Sequence, residues 1–137
     1  MNLDNLIKII HDAGIVGEGG AGFPSHIKYN VQVDTIIANG CECEPLLFTD
    51  QYLMTNYANN IISALNIVSK TIRAKRVVFA IKKKYTNIKK ILKHAIKDTN
   101  IELFEVDDFY PAGDEQVLIY EIIGKTVPPL GLPKDVN

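Results

Sequence analysis

The chain has 137 residues, of which 47% are hydrophobic and 23% charged, so it can bury the core of one domain but is short for two. Its formal net charge of −1 gives no electrostatic case for binding nucleic acid. No stretch approaches the roughly 18 consecutive apolar residues that a membrane-spanning helix needs. We therefore expect one cytoplasmic domain with no direct membrane span, able at most to associate peripherally with a membrane complex.

Apolar periodicity predicts helices and strands in alternation along the chain. A first helix is predicted from Leu3 to His11, with Asn2 or Asp4 as its cap and Gly14 at its end. Short β-branched or apolar runs then predict three strands, at Val33–Ala38, Arg76–Ile81 and Ile101–Val106. Three further helices are predicted at Tyr57–Ile72, Asn87–Lys97 and Glu115–Ile123. This order favours an α/β fold with a mostly parallel sheet, flanking helices and right-handed crossovers.

A glycine-rich loop follows the first helix, with five glycines in the nine residues Gly14–Gly22. Glycine leaves backbone amides open to a bulky anion, and the helix predicted to begin at Pro24-Ser25 would direct its positive end to the same place. The spacing fits neither a P-loop nor a dinucleotide-binding fingerprint. The loop therefore predicts a nucleotide- or flavin-binding site, and the alternative is a flexible linker.

A second cluster, Asn39–Pro45, places two carboxylates, two thiols and an amide directly after the first strand. Asn39 and Glu42 are suited to hydrogen bonds with a heterocycle or a ribose, and Glu44 to accepting bonds from sugar hydroxyls. Ligands of parallel α/β sheets bind beyond the carboxyl ends of the strands, where this cluster lies. The alternative is a solvated acidic loop without a ligand.

The two cysteines of the chain, Cys41 and Cys43, both belong to this second cluster. They supply at most two of the four ligands that a structural zinc ion or an iron–sulfur cluster normally takes, so we expect no metal site within this chain. The three histidines have no metal-binding spacing to each other. A redox-sensing or metal-binding function through the two cysteines is nevertheless a separate hypothesis, and it predicts an exposed thiol of low pKa.

A third cluster, Asp107–Glu115, ends the third strand and begins the last helix. It is also rich in carboxylates and lies at the same predicted edge of the sheet as the second cluster. Asp114 or Glu115 could instead only cap the helix that follows.

Taken in order, the three clusters resemble one family. The segments Gly17–Lys28, Asn39–Pro45 and Tyr110–Glu115 are similar to the N-terminal part of the Rnf-complex C subunit and to the NADH-binding flavoprotein subunit of respiratory complex I. From about Ile9 to Val136 the chain most resembles soluble Rnf-C-like electron-transfer proteins, including the one associated with proline reductase. The resemblance implies an FMN-binding domain in which FMN accepts hydride from NADH and passes electrons singly to iron–sulfur clusters.

The resemblance also implies contacts for individual residues, with no catalytic side chain because the flavin does the hydride chemistry. The positions similar to flavin- and nucleotide-contacting ones are Gly17, Gly19, Gly20 and Lys28, with Phe23 placed to stack on the adenine. Those similar to FMN contacts are Asn39 and Glu42, and Glu44 is similar to an NADH contact. Those similar to a wall of the FMN and NADH site are Tyr110, Gly113, Asp114 and Glu115.

The sequence departs from the family pattern at several points. Glu18 places a carboxylate where it would repel a phosphate, and complex I relatives carry an acidic residue and a serine at the positions of Cys41 and Cys43. Family members continue past Val136 into a segment that completes the FMN site, and then into a ubiquitin-like and a cluster-binding domain. We therefore expect residues 1–137 to form a single FMN- and NADH-binding domain, the N-terminal fragment of a longer protein, without ligands for 4Fe-4S clusters.

Such a fragment is expected to have little activity alone, although the full-length family acts as an NADH:acceptor oxidoreductase component. Its expected partners are a nicotinamide nucleotide and redox proteins, such as other subunits of an Rnf-like or amino-acid reductase system. The alternative function is a non-catalytic α/β module, in which the glycine loop serves the docking or assembly of a redox complex.

Overall fold

The computed structural model describes residues 1–19 and 21–136. Six helices and three strands follow one another along them. In chain order they are α1 (Leu3–Asp12), α2 (Ser25–Tyr29), β1 (Thr35–Gly40), α3 (Thr49–Asn56), α4 (Ala58–Ile72), β2 (Arg76–Lys82), α5 (Thr86–Ala95), β3 (Ile101–Val106) and α6 (Glu115–Ile123). A short 3₁₀ helix at Pro133–Asp135 follows α6. None of the helices in these ranges has the length and apolar character needed to cross a membrane.

The three strands form one parallel sheet in the order β1-β2-β3. The pairs Ile37 with Val78 and Val78 with Glu102 set the register across the three strands. Because each pair of neighbouring strands is joined through helices, all three strands end at the same edge of the sheet. This architecture confirms the predicted α/β fold with a mostly parallel sheet and flanking helices.

The core lies on both faces of β2, whose residues from Val77 to Lys82 are all buried. Val77, Phe79 and Ile81 pack on one face with residues of α3, α4 and α5. Val78 and Ala80 alternate with them and pack on the other face against α6. An apolar strand buried on both faces is what a parallel sheet between two helix layers requires.

The predicted ends of the helices have visible physical causes. The side chain of Asn2 accepts a hydrogen bond of 2.9 Å from the Asn5 amide, which satisfies a free donor at the start of α1. The Asp114 carboxylate accepts from the first amides of α6, and Gly124 ends that helix with a φ of +75°. Asp114 is therefore a helix cap, whatever else it contacts.

The sequence pattern predicted neither helix α3 nor the 3₁₀ helix, and it placed β1 two residues too early and the end of α5 two residues too late. Helix α3 has no apolar stripe, and Met54 is its one buried residue. It packs close to the end of β1 because Gly40 has no side chain: a Cβ there would lie 2.7 Å from the Met54 sulfur. Strand β1 runs two residues later than predicted, to Gly40, because its register with β2 continues to the pair Gly40 with Ile81.

Candidate functional site

A cleft of about 330 Å³ lies at the carboxyl edge of the sheet, where the segment after β1 meets the segment before α6. This volume falls in the range of roughly 300–1,000 Å³ that is typical of small-molecule sites. We call it the edge cleft; its lining residues are Asn39, Cys41, Glu42, Cys43, Glu44, Asp50, Tyr110, Pro111, Gly113 and Asp114.

The side chain of Asn39 connects the two segments that form the edge cleft. Its amide nitrogen donates to the carbonyl oxygen of Gly113 at 2.8 Å, across 74 residues of sequence. Its amide oxygen accepts from the backbone N–H of Cys41 at 3.0 Å. An amide group can make up to four hydrogen bonds, so Asn39 keeps a donor and an acceptor position for a ligand.

Cys43 makes a second connection between the same two segments. Its sulfur accepts the backbone N–H of Gly113 at 2.9 Å and donates to the carbonyl oxygen of Cys41 at 3.3 Å. Both polar groups of the Gly113 residue are therefore held, the carbonyl by Asn39 and the N–H by Cys43. This paired contact fixes the two walls of the edge cleft against each other.

Position 113 has room only for glycine. An added Cβ would overlap the carbonyl oxygen of Cys41 and lie 3.0 Å from the Cys43 sulfur. The Cys41 carbonyl is part of the backbone, so it cannot move away from a new Cβ as the end of a flexible side chain would. The close approach of the two backbones is thus a requirement of the edge cleft, and it gives Gly113 a structural role that its sequence position did not reveal.

Carboxylates dominate the electrostatics of the edge cleft. Glu42, Glu44, Asp50 and Asp114 line it, and no Lys, Arg or His is among its lining residues within the described ranges. Partial burial, and then the negative charge of Glu42, raise the pKa of the Asp50 carboxyl above its usual value. One oxygen of Glu42 accepts the backbone N–H of Glu44 at 2.8 Å, which leaves its other oxygen for a ligand.

The Cys41 thiol is buried at the base of the edge cleft. Burial, together with the neighbouring Cys43, raises the pKa of Cys41 to about 12. Cys41 is therefore a neutral thiol at physiological pH and a poor nucleophile. Neither cysteine forms a disulfide, and the residues at 1–19 and 21–136 contain no group of three or more His, Cys, Asp or Glu that could hold a metal ion.

The glycine loop is a separate, self-closed structure. The Gly17 amide donates to the Phe23 carbonyl at 2.8 Å, and Val16 and Pro24 form an antiparallel bridge beside it. Helix α2 begins at Ser25, as predicted from the Pro24-Ser25 pair. The loop therefore narrows at its base like a hairpin, and the Gly17 N–H is already used to close it.

The predicted contact residues thus divide into two groups. The structure brings six of them together in the edge cleft: Asn39, Glu42, Glu44, Tyr110, Gly113 and Asp114. It places Gly17, Gly19, Phe23 and Lys28 outside that lining, all of them exposed, and Glu115 in the first turn of α6. Gly20 lies outside the described residues.

Asp50 is a candidate contact that the sequence analysis missed. It belongs to α3, the helix without an apolar stripe, and it lies in the lining of the edge cleft beside Glu42. No motif marked it, because only the packing of α3 against β1 brings it to the site.

Comparison with known protein families shows which family the chain belongs to. The model of the Nuo51 FMN-binding domain matches residues 10–137, which is nearly the whole chain. This chain belongs to the family of the complex I flavoprotein FMN-binding domain. The match confirms the family that the three clusters resembled, and it includes every residue of the edge cleft.

Curated relatives belong to several redox systems. The chain is 40% identical over 128 residues to the cobalamin reductase PduS of Citrobacter freundii, covering 93% of this chain and 28% of that protein. It is 36% identical over 142 residues to the C subunit of the Na⁺-translocating ferredoxin:NAD⁺ oxidoreductase complex of Acetobacterium woodii, covering 100% of this chain and 32% of that relative. The chain thus spans less than a third of the length of these relatives.

A solved structure shows the same fold. A chain of the NAD⁺-reducing [NiFe]-hydrogenase in its H₂-reduced state matches with a TM-score of 0.80 and 25% sequence identity. The match covers 90% of this chain and 24% of that chain. The fold described above therefore also occurs within a longer chain of that hydrogenase.

Proposed function

We propose that this chain is the N-terminal FMN- and NADH-binding segment of an electron-transfer flavoprotein that oxidises NADH and passes electrons through FMN to iron–sulfur clusters. One observation carries the proposal: in a member of an FMN-binding family, two polar motifs far apart in sequence meet in one cleft at the carboxyl edge of a parallel sheet. Open α/β sheets bind their ligands at this edge.

The lining of the edge cleft fits the polar ring of a flavin and the ribose of a nucleotide. Asn39 retains a donor and an acceptor, and Glu42 retains a carboxylate oxygen, so both can bond to the edge of a heterocycle. The Glu44 carboxylate is exposed and suited to accepting bonds from ribose hydroxyls. Tyr110 and Gly113 would form the facing wall.

Phosphate groups are better suited to the glycine loop than to the edge cleft. Four carboxylates in the edge cleft would repel a phosphate. The glycine loop offers the amide of Gly19, helix α2 after it offers the ammonium of Lys28, and Phe23 between them offers an exposed ring for stacking on adenine. The Gly17 N–H already donates to the Phe23 carbonyl, so it is not free for a phosphate. Gly17 would instead allow a phosphate to approach the backbone, because glycine has no side chain.

When bound, FMN supplies the chemistry, because it accepts two electrons as hydride and releases them singly. The residues of the chain would hold the flavin ring and NADH beside each other. The carboxylates of the edge cleft would accept hydrogen bonds from hydroxyl and N–H groups of these ligands. Further electron transfer then requires iron–sulfur clusters on other domains or proteins. We therefore expect this chain alone to have little NADH oxidation activity.

The partners that fit this function are redox proteins of an Rnf-like or amino-acid reductase system. The relatives in ion-translocating oxidoreductase complexes support a cytoplasmic protein that associates peripherally with a membrane complex. The same glycine loop, closed on itself, would suit the alternative function, a non-catalytic docking module.

Titration with FMN and then with NADH, followed by quenching of flavin fluorescence, tests the proposal. We expect saturable FMN binding, weakened about tenfold by Lys28→Ala through loss of a charged contact. We expect Glu44→Ala to weaken NADH binding to the FMN complex and to leave FMN binding nearly unchanged.

Lys70→Ala and Glu121→Ala are the matched controls, since both residues are exposed on helices and neither lines the edge cleft. Neither control should alter either affinity. Absence of FMN binding by the folded chain would reject the proposal that residues 1–137 by themselves assemble an FMN site.

A further inference from the structure

Lys82 carries a buried formal charge. Among residues 1–19 and 21–136 it is the one Lys, Arg, Asp or Glu that is buried, with a side chain only 8% exposed. It is the last residue of β2, and strand alternation places it on the same face as Val78 and Ala80, which α6 covers. Burying an ammonium group costs free energy unless an opposite charge lies close to it, so Lys82 requires a carboxylate partner.

The partner of Lys82 is Asp108, just after β3. The Lys82 nitrogen lies 3.6 Å from one oxygen of Asp108, and the exposed Lys84 lies 2.9 Å from the other. The hydrogen bond from Lys84, and then the charges of both lysines, lower the pKa of Asp108. Between these two lysines, Lys83 pairs with Asp107. The end of β2 thus holds the first residues of the loop 107–114.

This loop continues directly into the wall of the edge cleft. Tyr110, two residues after Asp108, lines the cleft, and Gly113 bonds to Asn39 and Cys43. The Lys82 charge also acts on the base of the cleft, because it lowers the pKa of Cys41 against the raising effect of burial. Lys82 therefore lies beneath the site, at the foot of one of its two walls.

We propose that Lys82 is a positioning residue of the edge cleft: its buried ammonium anchors Asp108 and thereby fixes the loop 107–114 against Asn39 and Cys43. Lys84 makes the shorter contact with the same carboxylate, 2.9 Å, but its side chain is 52% exposed, so water competes for that contact as it does not for the buried Lys82 ammonium. The consequence of this anchoring for FMN rests on the proposed function, whereas the anchoring itself does not.

Alkylation of Cys43 by iodoacetamide measures the anchoring without any flavin. The Cys43 sulfur accepts the Gly113 N–H, so release of the loop 107–114 exposes the sulfur, and peptide mass spectrometry separates it from the buried Cys41. We expect Lys82→Met to raise the Cys43 alkylation rate about threefold or more, through more frequent local opening. Lys84→Met is the matched control and should leave the rate nearly unchanged, while Lys82→Arg should restore it.

Asp108→Asn decides whether Lys82 acts through Asp108. The substitution removes the carboxylate that Lys82 and Lys84 share, and it keeps a side chain of the same size. Because the Asp108 side chain is half-exposed, the change removes the charge without opening a cavity in the core.

Asp108→Asn alone should raise the Cys43 alkylation rate by about as much as Lys82→Met does, because either change breaks the same anchor. The double variant should then be no faster than the faster single variant, since two changes in one pathway do not add. Thermal unfolding followed by circular dichroism shows that each variant is folded. Unchanged alkylation in folded Lys82→Met or Asp108→Asn protein, or additive effects in the double variant, would overturn the proposal.

FMN titration of the same variants separates this inference from the proposed function. We expect Lys82→Met to weaken FMN binding about tenfold, because a displaced wall misplaces several contacts at once. Lys84→Met should bind as the unmodified chain does. If the unmodified chain binds no FMN, the proposed function fails, and the alkylation rates still decide whether Lys82 positions the loop.

Discussion

The edge cleft and the glycine loop were both predicted to bind ligand, but the structure builds them in different ways. The edge cleft is made of two segments joined by hydrogen bonds across 74 and 70 residues of sequence. The glycine loop is closed by local bonds, such as that from Gly17 to Phe23. Glycine therefore serves opposite purposes in the two regions: close backbone packing at Gly113, and open surface at Gly19.

The largest expected effect separates these two glycines. Gly113→Ala should destabilise the chain by about 3 kcal/mol, because the new Cβ would overlap the Cys41 carbonyl oxygen. Gly19→Ala should change the stability by less than about 0.5 kcal/mol, since nothing lies within 4 Å of a Cβ there. Urea unfolding of both variants measures the difference. Equal stabilities would show that the two walls do not approach as closely as described.

A smaller effect is expected from the amide that joins the walls. Asn39→Ala should destabilise the chain by about 1–2 kcal/mol, because the Gly113 carbonyl and the Cys41 N–H both lose their partner. The exposed Asn87 of α5 offers the control, and Asn87→Ala should have little effect on stability. Thermal unfolding compares the two variants, and a melting temperature for Asn39→Ala equal to that of the control would contradict the bridging role.

The smallest effect concerns the charge of Asp50. Its pKa is raised in the folded state, so the ionised carboxyl destabilises the fold at neutral pH, and this penalty is relieved as the pH falls through the raised pKa towards the usual value of 3.8. Asp50→Asn should therefore raise the melting temperature slightly at pH 7, and the gain should disappear below about pH 3.8.

Asp108→Asn is the matched control, and its expected shift in melting temperature has the opposite sign. Its neighbouring lysines lower the pKa of Asp108, so the ionised carboxyl stabilises the fold at neutral pH, and that contribution is lost as the pH falls from 3.8 through the lowered pKa. The substitution should lower the melting temperature at pH 7. Shifts of the same sign for both variants would show that burial does not distinguish the two carboxyls.

The glycine loop shows the limit of reasoning from a motif. Its composition correctly predicted a loop that leads into a helix at Ser25, because glycine and proline act on their own backbone. Which of its amides remain open was not predictable, since the bond from Gly17 depends on where the Phe23 carbonyl lies in three dimensions. The ligand contacts proposed for this loop stay predictions.

Most of the secondary structure was predictable from the amino-acid sequence, including β3 and α6 with their observed bounds, and so was the parallel α/β class. These features were predictable because apolar spacing, caps and turn residues act over a few neighbouring positions. Three features were visible only in the folded chain: the formation of α3, the position of Asp50 in the edge cleft, and the burial of Lys82 beneath that cleft. These features depend on which distant segments pack together, and local patterns carry no information about that.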